Sequence, residues 1–174
     1  AVRETLGLDL TSAPIVLLGA GGAARGAAVE CLQRRCASLW VANRTRETLD
    51  TLLAIIGPIA ADVPFHGFSS STPPTDLPAG AIVINATSAG LRPEDPVPID
   101  LAALPRPIAV FDMIYNPPQT GLLRAAADRG LPHANGLAML VHQGAKSLEH
   151  WSGIPAGQTA PTMAAAARAA RGLP

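Results

Sequence analysis

The sequence has no surplus of either charge. Its 174 residues carry 13 basic and 13 acidic side chains, and the formal net charge is zero. A balanced, scattered set of charges lacks the electrostatic footprint of a nucleic-acid binder. Long apolar runs are missing too. None approaches the roughly 20 residues a membrane-spanning helix needs, so no membrane partner is expected. Cysteine is scarce: Cys31 and Cys36 stand alone, with neither Cys-x-x-Cys spacing nor a histidine cluster beside them. They read as reduced packing thiols rather than as a disulfide framework or a metal centre, which fits a cytoplasmic protein. The opening residues, Ala1-Val-Arg-Glu4, lack a secretory leader's apolar stretch. The first residue is not methionine, so a processed or excised piece is among the expectations. Lysine occurs once, at Lys146, and reads as a solvated side chain.

What is present is an alternation of short apolar runs and helical periodicities. Ile15 to Leu18, Ser38 to Ala42, Ala81 to Ile84 and Ile108 to Phe111 read as buried strands, with a weaker strand within 59–68. Helical patterns fill 23–35, 45–56, 120–129, 137–151 and 158–171, and residues 1–8 read as the tail of another helix. In the second of these, Leu49, Leu52, Leu53 and Ile56 recur at three- and four-residue steps until Gly57-Pro58 stops them. Thr120 is placed to cap the 120–129 helix and Gly130 to end it. Ser69 to Gly80 and the proline-rich 90–107 read as loops, the latter with one short turn of helix. The expected fold class is α/β: a Rossmann-like, doubly wound, mostly parallel sheet with helices on both faces, forming one domain over residues 1–174.

The first strand runs into Gly19-Ala-Gly21-Gly-Ala-Ala24 and then into a helix. Gly19-x-Gly21-x-x-Ala24 is the spacing of a dinucleotide-binding turn. The first glycine permits a tight turn, the second removes a side chain where a pyrophosphate must approach, and Ala24 lets the helix pack near the strand. The helix N-terminus then offers free N–H groups and the positive end of its dipole to the phosphates. The second strand ends in Asn43-Arg44-Thr45-Arg46. An NAD site has a carboxylate about 20 residues beyond the glycines to take the ribose 2′-hydroxyl. Here two guanidiniums replace it. A guanidinium suits a phosphate, and arginines at a helix start call for an anion. The expected cofactor is therefore NADP.

Other strand ends are polar as well: Asn85-Ala-Thr-Ser-Ala-Gly90 and Asp112-Met-Ile-Tyr-Asn-Pro117. In open α/β sheets ligands bind outside these carboxyl ends, so one shared crevice is expected. Asn85 and Thr87 suit hydrogen bonds to a ligand; equally, Asn85 and Ser88 suit local turn caps.

Taken in order, Gly19-Ala-Gly-Gly-Ala-Ala-Arg25, Asn43-Arg-Thr45, Asn85-Ala-Thr-Ser-x-Gly90, Asp112-x-x-Tyr-Asn-Pro-x-x-Thr120, Asn135-Gly-Leu-x-Met-Leu-x-x-Gln143 and Trp151-x-Gly153 closely resemble the shikimate dehydrogenase family. The resemblance implies a Rossmann-like NADP domain paired with a smaller substrate domain. It implies NADPH reduction of 3-dehydroshikimate to shikimate in aromatic amino-acid biosynthesis. By position it gives the pyrophosphate to Gly19, Ala20, Gly21, Gly22 and Ala23. It gives the adenosine ribose and its 2′-phosphate to Asn43, Arg44 and Thr45, with Arg46 close by. Thr87, Met113 and the backbone of Gly136 fall near the nicotinamide, Met139 on its ring, and Tyr115 and Gln143 on the shikimate ring or its hydroxyls.

One departure qualifies the activity. The family's acid/base lysine and its partner aspartate belong to stretches before the glycine turn, and neither stretch occurs among the residues preceding Gly19. The chain therefore reads as the cofactor half of such an enzyme, inactive by itself, with the substrate-bearing N-terminal domain as its implied partner. A non-catalytic NADP-binding partner module and a quinate-type dehydrogenase are the alternatives. The 137–151 helix carries more apolar positions than one buried face needs, including Leu137, Met139, Leu140, Val141, Leu148 and Trp151. Self-association through that surface is expected.

Overall fold

Successive side chains of a strand face opposite sides of its sheet. Strands that are apolar at every position therefore need cover on both faces, and the structure supplies it. The computed structural model describes residues 1–171. In chain order the elements are α1 (Val2–Leu6), β1 (Pro14–Leu18), α2 (Gly22–Gln33), β2 (Ser38–Asn43), α3 (Arg46–Ile56), β3 (Phe65–Ser69), β4 (Ile82–Asn85), β5 (Ala109–Asp112), α4 (Gly121–Asp128), β6 (His133–Asn135), α5 (Leu137–Ser152) and α6 (Ala156–Ala169). The six strands form one sheet in the order β3-β2-β1-β4-β5-β6. Every ladder is parallel. In the centre Ile15 stands opposite Leu39 on one side and Ile82 on the other.

Alternate positions along each strand divide the core into two layers. Ile15, Leu17, Leu39, Val41, Ile82 and Ile84 pack with Leu32 of α2 and Leu49, Leu52 and Ile56 of α3. Val16, Leu18, Trp40, Val83 and Val110 pack with Leu122, Leu123 and Ala126 of α4. Connecting segments complete this second layer with Leu77, Ile99, Leu101 and Leu104. Ala24 and Ala28 are fully buried, which brings α2 close to the sheet. Cys31 and Cys36 are unpaired and buried in the first layer. Burial pushes their thiols up to about 12 and about 11, so they are packing groups rather than nucleophiles.

Most expected elements are present within a residue or two. Thr120 caps α4 as expected, its hydroxyl accepting from the Leu123 amide at 3.2 Å. The sheet is parallel throughout rather than mostly. The weak strand of 59–68 is β3, and residues 57–59 form a turn of 3-10 helix instead. A second such turn at 101–103 matches the one expected in the proline-rich loop. The three-residue β6 was not expected; its positions are exposed or half-buried and too few to show a period. The last helix begins at Ala156, ahead of the 158 expected, and contains Pro161.

The two final helices lie together, with Met163 of α6 against Gly144 of α5. α5 buries Val141 and Ala145 and leaves Leu140 and Trp151 exposed, Trp151 by 81%. No residue of α6 is fully buried. Although 138 residues apart in sequence, His142 on α5 meets Glu4 on α1 at 2.6 Å. Among the described residues no helix is long and apolar enough to cross a membrane.

Candidate functional site

The order β3-β2-β1-β4-β5-β6 reverses direction between β1 and β4. Ligands of open α/β sheets bind at such a switch point, beyond the carboxyl ends of the strands. A crevice of about 890 Å³ opens there, bounded by Leu18–Gly21, Ala42–Thr45 and Ala86–Ala89. Its size is that of an organic-ligand site, for which about 300–1,000 Å³ is usual.

The glycine turn is built as its spacing requires. Gly19 has φ +107°, a conformation side-chain-bearing residues rarely adopt. A methyl group there would lie 3.0 Å from the Ala86 carbonyl oxygen and 3.1 Å from Thr87 Cγ2. Gly21 is the N-cap of α2 and offers no side chain to its first amides, and no described residue's side chain bonds them. A Cβ added at Gly21 or Gly22 would meet nothing within 4 Å. The start of α2 is thus open and undefended, as an anion-binding helix end must be.

The two arginines are not equivalent. Asn43 Nδ2 donates to the Thr45 carbonyl at 2.8 Å and to Thr48 Oγ1 at 2.6 Å, fixing the turn that presents Arg44. Arg44 is exposed, borders the crevice and forms no ion pair with a described residue. Arg46 does not border it. Its Nε lies 2.8 Å from Asp50 Oδ1, one turn along α3. The anion that an arginine at this helix start calls for is, for Arg46, Asp50 of the same helix.

At Asn85 the structure decides between the two readings in favour of the local one. Its Oδ1 accepts from the amide and hydroxyl of Thr87, and its Nδ2 donates to Asp112 Oδ1 at 2.9 Å. Thr87 borders the crevice, with its hydroxyl also accepting from the Ala89 amide. Asp112 is fully buried. Desolvation raises its carboxyl above the usual range, against the opposing pull of its hydrogen bonds.

The remaining expected residues lie outside the crevice lining. Gly136 is buried, and a Cβ on it would fall 2.1 Å from the Met113 carbonyl oxygen. Only glycine lets β6 pass the segment that follows β5. Met139 is half-buried and packs against the first core layer. Tyr115 is 39% exposed, with the Arg171 guanidinium 5.7 Å from its ring centre. Gln143 is exposed on α5. Lys146 pairs with Glu149 on the same helix and is solvated, as expected.

Several crevice residues escaped the sequence reading: Thr48, Ser70, Ser71 and the segment Asp95–Asp100. Ser70 and Ser71 follow directly on β3, so the strand-end rule points to them once that strand's end is located. Among the described residues no group of three His, Cys, Asp or Glu is placed to hold a metal ion.

A family model described as the shikimate 5′-dehydrogenase C-terminal domain matches residues 136–168. A shikimate dehydrogenase (NADP(+)) of Methylobacterium radiotolerans is 38% identical over 79% of this chain and 47% of its own length. Among solved structures, a ligand-free 5-ketofructose reductase of a Gluconobacter strain is 34% identical, with a TM-score of 0.70 over 90% of this chain and 57% of that one. A shikimate 5-dehydrogenase of Thermus thermophilus, solved with NADP(H) and shikimate, is 29% identical, with a TM-score of 0.72 over 95% and 59%. The chain spans about half the length of the curated relatives it matches. In sequence and in fold, the chain belongs to the shikimate 5′-dehydrogenase family, as its C-terminal, Rossmann-like domain.

Proposed function

We propose that the chain is the NADP(H)-binding half of a cytoplasmic shikimate dehydrogenase, and that the whole enzyme reduces 3-dehydroshikimate to shikimate. One observation carries this reading. An uncapped helix start and an arginine with no ion pair among the described residues border one crevice at the sheet's switch point. They match the two anionic ends of NADP, the pyrophosphate and the 2′-phosphate. Gly21 and Gly22 leave room for the first, and Arg44 is free to take the second, with Ser70, Ser71 and Thr48 bordering the same end. NADPH, when bound, supplies the hydride. Thr87, Met113, Gly136 and Met139 are assigned to its nicotinamide half, and Tyr115 and Gln143 to the substrate.

Reduction of a ketone also needs a proton at the developing alkoxide, a service worth about 10²- to 10⁴-fold. The family assigns it to a lysine with an aspartate partner on the substrate domain. We assign this chain no catalytic residue, and by itself it has negligible turnover. The 5-ketofructose reductase is alike over this half at similar identity, so we assign most of the choice of substrate to the other domain, with Tyr115 and Gln143 as this chain's share. That domain is the partner proposed for the exposed Trp151 and Leu140. In its absence this surface self-associates, which sedimentation reads as a concentration-dependent mass.

Titration calorimetry with NADP⁺ and NAD⁺ at matched salt tests the cofactor. A charge-assisted phosphate contact is worth about 1.5–3 kcal/mol, so NADP⁺ binds at least about tenfold tighter and Arg44→Ala removes that margin. Equal affinities for the two dinucleotides refute the reading.

A further inference from the structure

Three polar side chains are buried among the described residues: Asn85, Asp112 and Thr120, none more than 1% exposed. They come from the end of β4, the end of β5 and the cap of α4, and they bond to one another. Asn85 Nδ2 and the Ile114 amide donate to Asp112 Oδ1 at 2.9 and 3.0 Å. The Thr120 hydroxyl donates to Asp112 Oδ2 at 2.6 Å. A buried carboxylate is costly, and an apolar cluster of the same volume serves stability as well or better. What the carboxylate adds is direction: it ties backbone to side chain at fixed points.

Those points are the two loops that continue β4 and β5. Through Asn85 the network holds Thr87, whose methyl lies against Gly19. Through the Ile114 amide and Thr120 it spans both ends of 113–120, the segment that carries Met113 and Tyr115. The Met113 carbonyl in turn rests on Gly136. Of the residues assigned above to the nicotinamide, Thr87 and Met113 are thus on segments the network fixes, and Gly136 lies against one. The 2′-phosphate end, on the β2–α3 turn, has its own support in Asn43 and Thr48.

We propose that Asp112 and Thr120 are positioning residues for the nicotinamide half of the dinucleotide. They set the loops after β4 and β5 without touching the cofactor, and the adenosine end does not depend on them. The inference rests on the cofactor reading above.

The test compares NADP⁺ with adenosine 2′,5′-bisphosphate, which carries the adenosine end and no nicotinamide. Thr120→Val removes the hydroxyl and keeps the shape; Thr120→Ser keeps the hydroxyl. Thr120→Val should lower NADP⁺ affinity about tenfold, the order of one charge-assisted bond. The bisphosphate should change by less than about twofold, as expected for independent sites. Thr120→Ser should restore NADP⁺ binding. Equal losses for both ligands, or undiminished NADP⁺ binding, overturn the inference while leaving the cofactor reading intact. Failure of the unaltered chain to bind either ligand overturns both. Hydrogen exchange on the unaltered chain gives an answer that needs no variant. By linkage, NADP⁺ should slow exchange of the Ile114 and Leu123 amides beyond what the bisphosphate does at equal saturation. Equal slowing by the two ligands counts against the proposal.

Discussion

Alanine at Gly19 and alanine at Gly21 should do opposite things. At Gly19 the backbone sits at φ +107°, and the new methyl lands 3.0 Å from the Ala86 carbonyl oxygen. Holding a residue with a side chain in such a conformation costs about 1–3 kcal/mol. Overpacking against fixed neighbours adds about 1–3 kcal/mol. At roughly 2–4 °C per kcal/mol for a domain of this size, Gly19→Ala melts roughly 4–24 °C lower. At Gly21 the backbone is extended, φ −83° and ψ −168°, and the methyl meets nothing within 4 Å. Alanine is a poorer N-cap than glycine by about 0.5–1 kcal/mol, and its stiffer unfolded chain returns about 0.4–1 kcal/mol. Gly21→Ala therefore melts within about 3 °C of the unaltered chain. Its methyl instead occupies the space left for a pyrophosphate, so NADP⁺ affinity falls by about tenfold or more. Calorimetry supplies both numbers, a scan without ligand and a titration with it. Gly21→Ala that melts as low as Gly19→Ala, or that binds NADP⁺ undiminished, refutes the reasoning.

Two further outcomes follow from charge and burial. Asp95 accepts from the amides of Gly90 and Arg92, each at 3.0 Å, and these bonds hold its carboxyl below the usual range. With the folded value below the unfolded one, its hold on the 90–95 turn is complete above the ordinary carboxylate range and is lost as pH falls through the lowered value. An acid titration by NMR should move the Gly90 and Arg92 amide signals together, and Asp95→Asn should abolish that step. Cys31 and Cys36, with thiols pushed up to about 12 and about 11, should resist a thiol reagent at pH 8 in the native state and react in denaturant. Rapid native labelling contradicts their place in the core.

The glycine turn was legible because an apolar run and a helical stretch meet there with glycines at dinucleotide spacing between them. The strand ends were legible for the same reason, wherever the strand itself was long enough to register. β6 was not, because three half-exposed residues carry no pattern and pair only once β5 lies alongside. Arg46 shows a different failure. Its partner Asp50 stands four residues on, in plain view, and helical spacing alone brings the two together. The polar network was hidden more deeply. Asn85 and Asp112 are 27 residues apart, and only the β4–β5 ladder makes them neighbours. Local chemistry could offer Asn85 a cap or a ligand; long-range pairing chose the cap.

The central position of β1 has a consequence for how the chain is made. Its first neighbour, β2, leaves the ribosome soon after it, but its second, β4, begins about 40 residues after β2 ends, roughly 2–8 s later at ordinary rates of synthesis. Over that interval β1–β2–β3 can assemble, while the other edge of β1, with the backbone of Ile15 to Leu18, awaits Ile82 to Asn85. An apolar, unpaired edge of this kind is a template for pairing with the wrong chain. The hazard of this fold is therefore concentrated in one interval of synthesis, and a pause or truncation between residues 43 and 82 exposes it most.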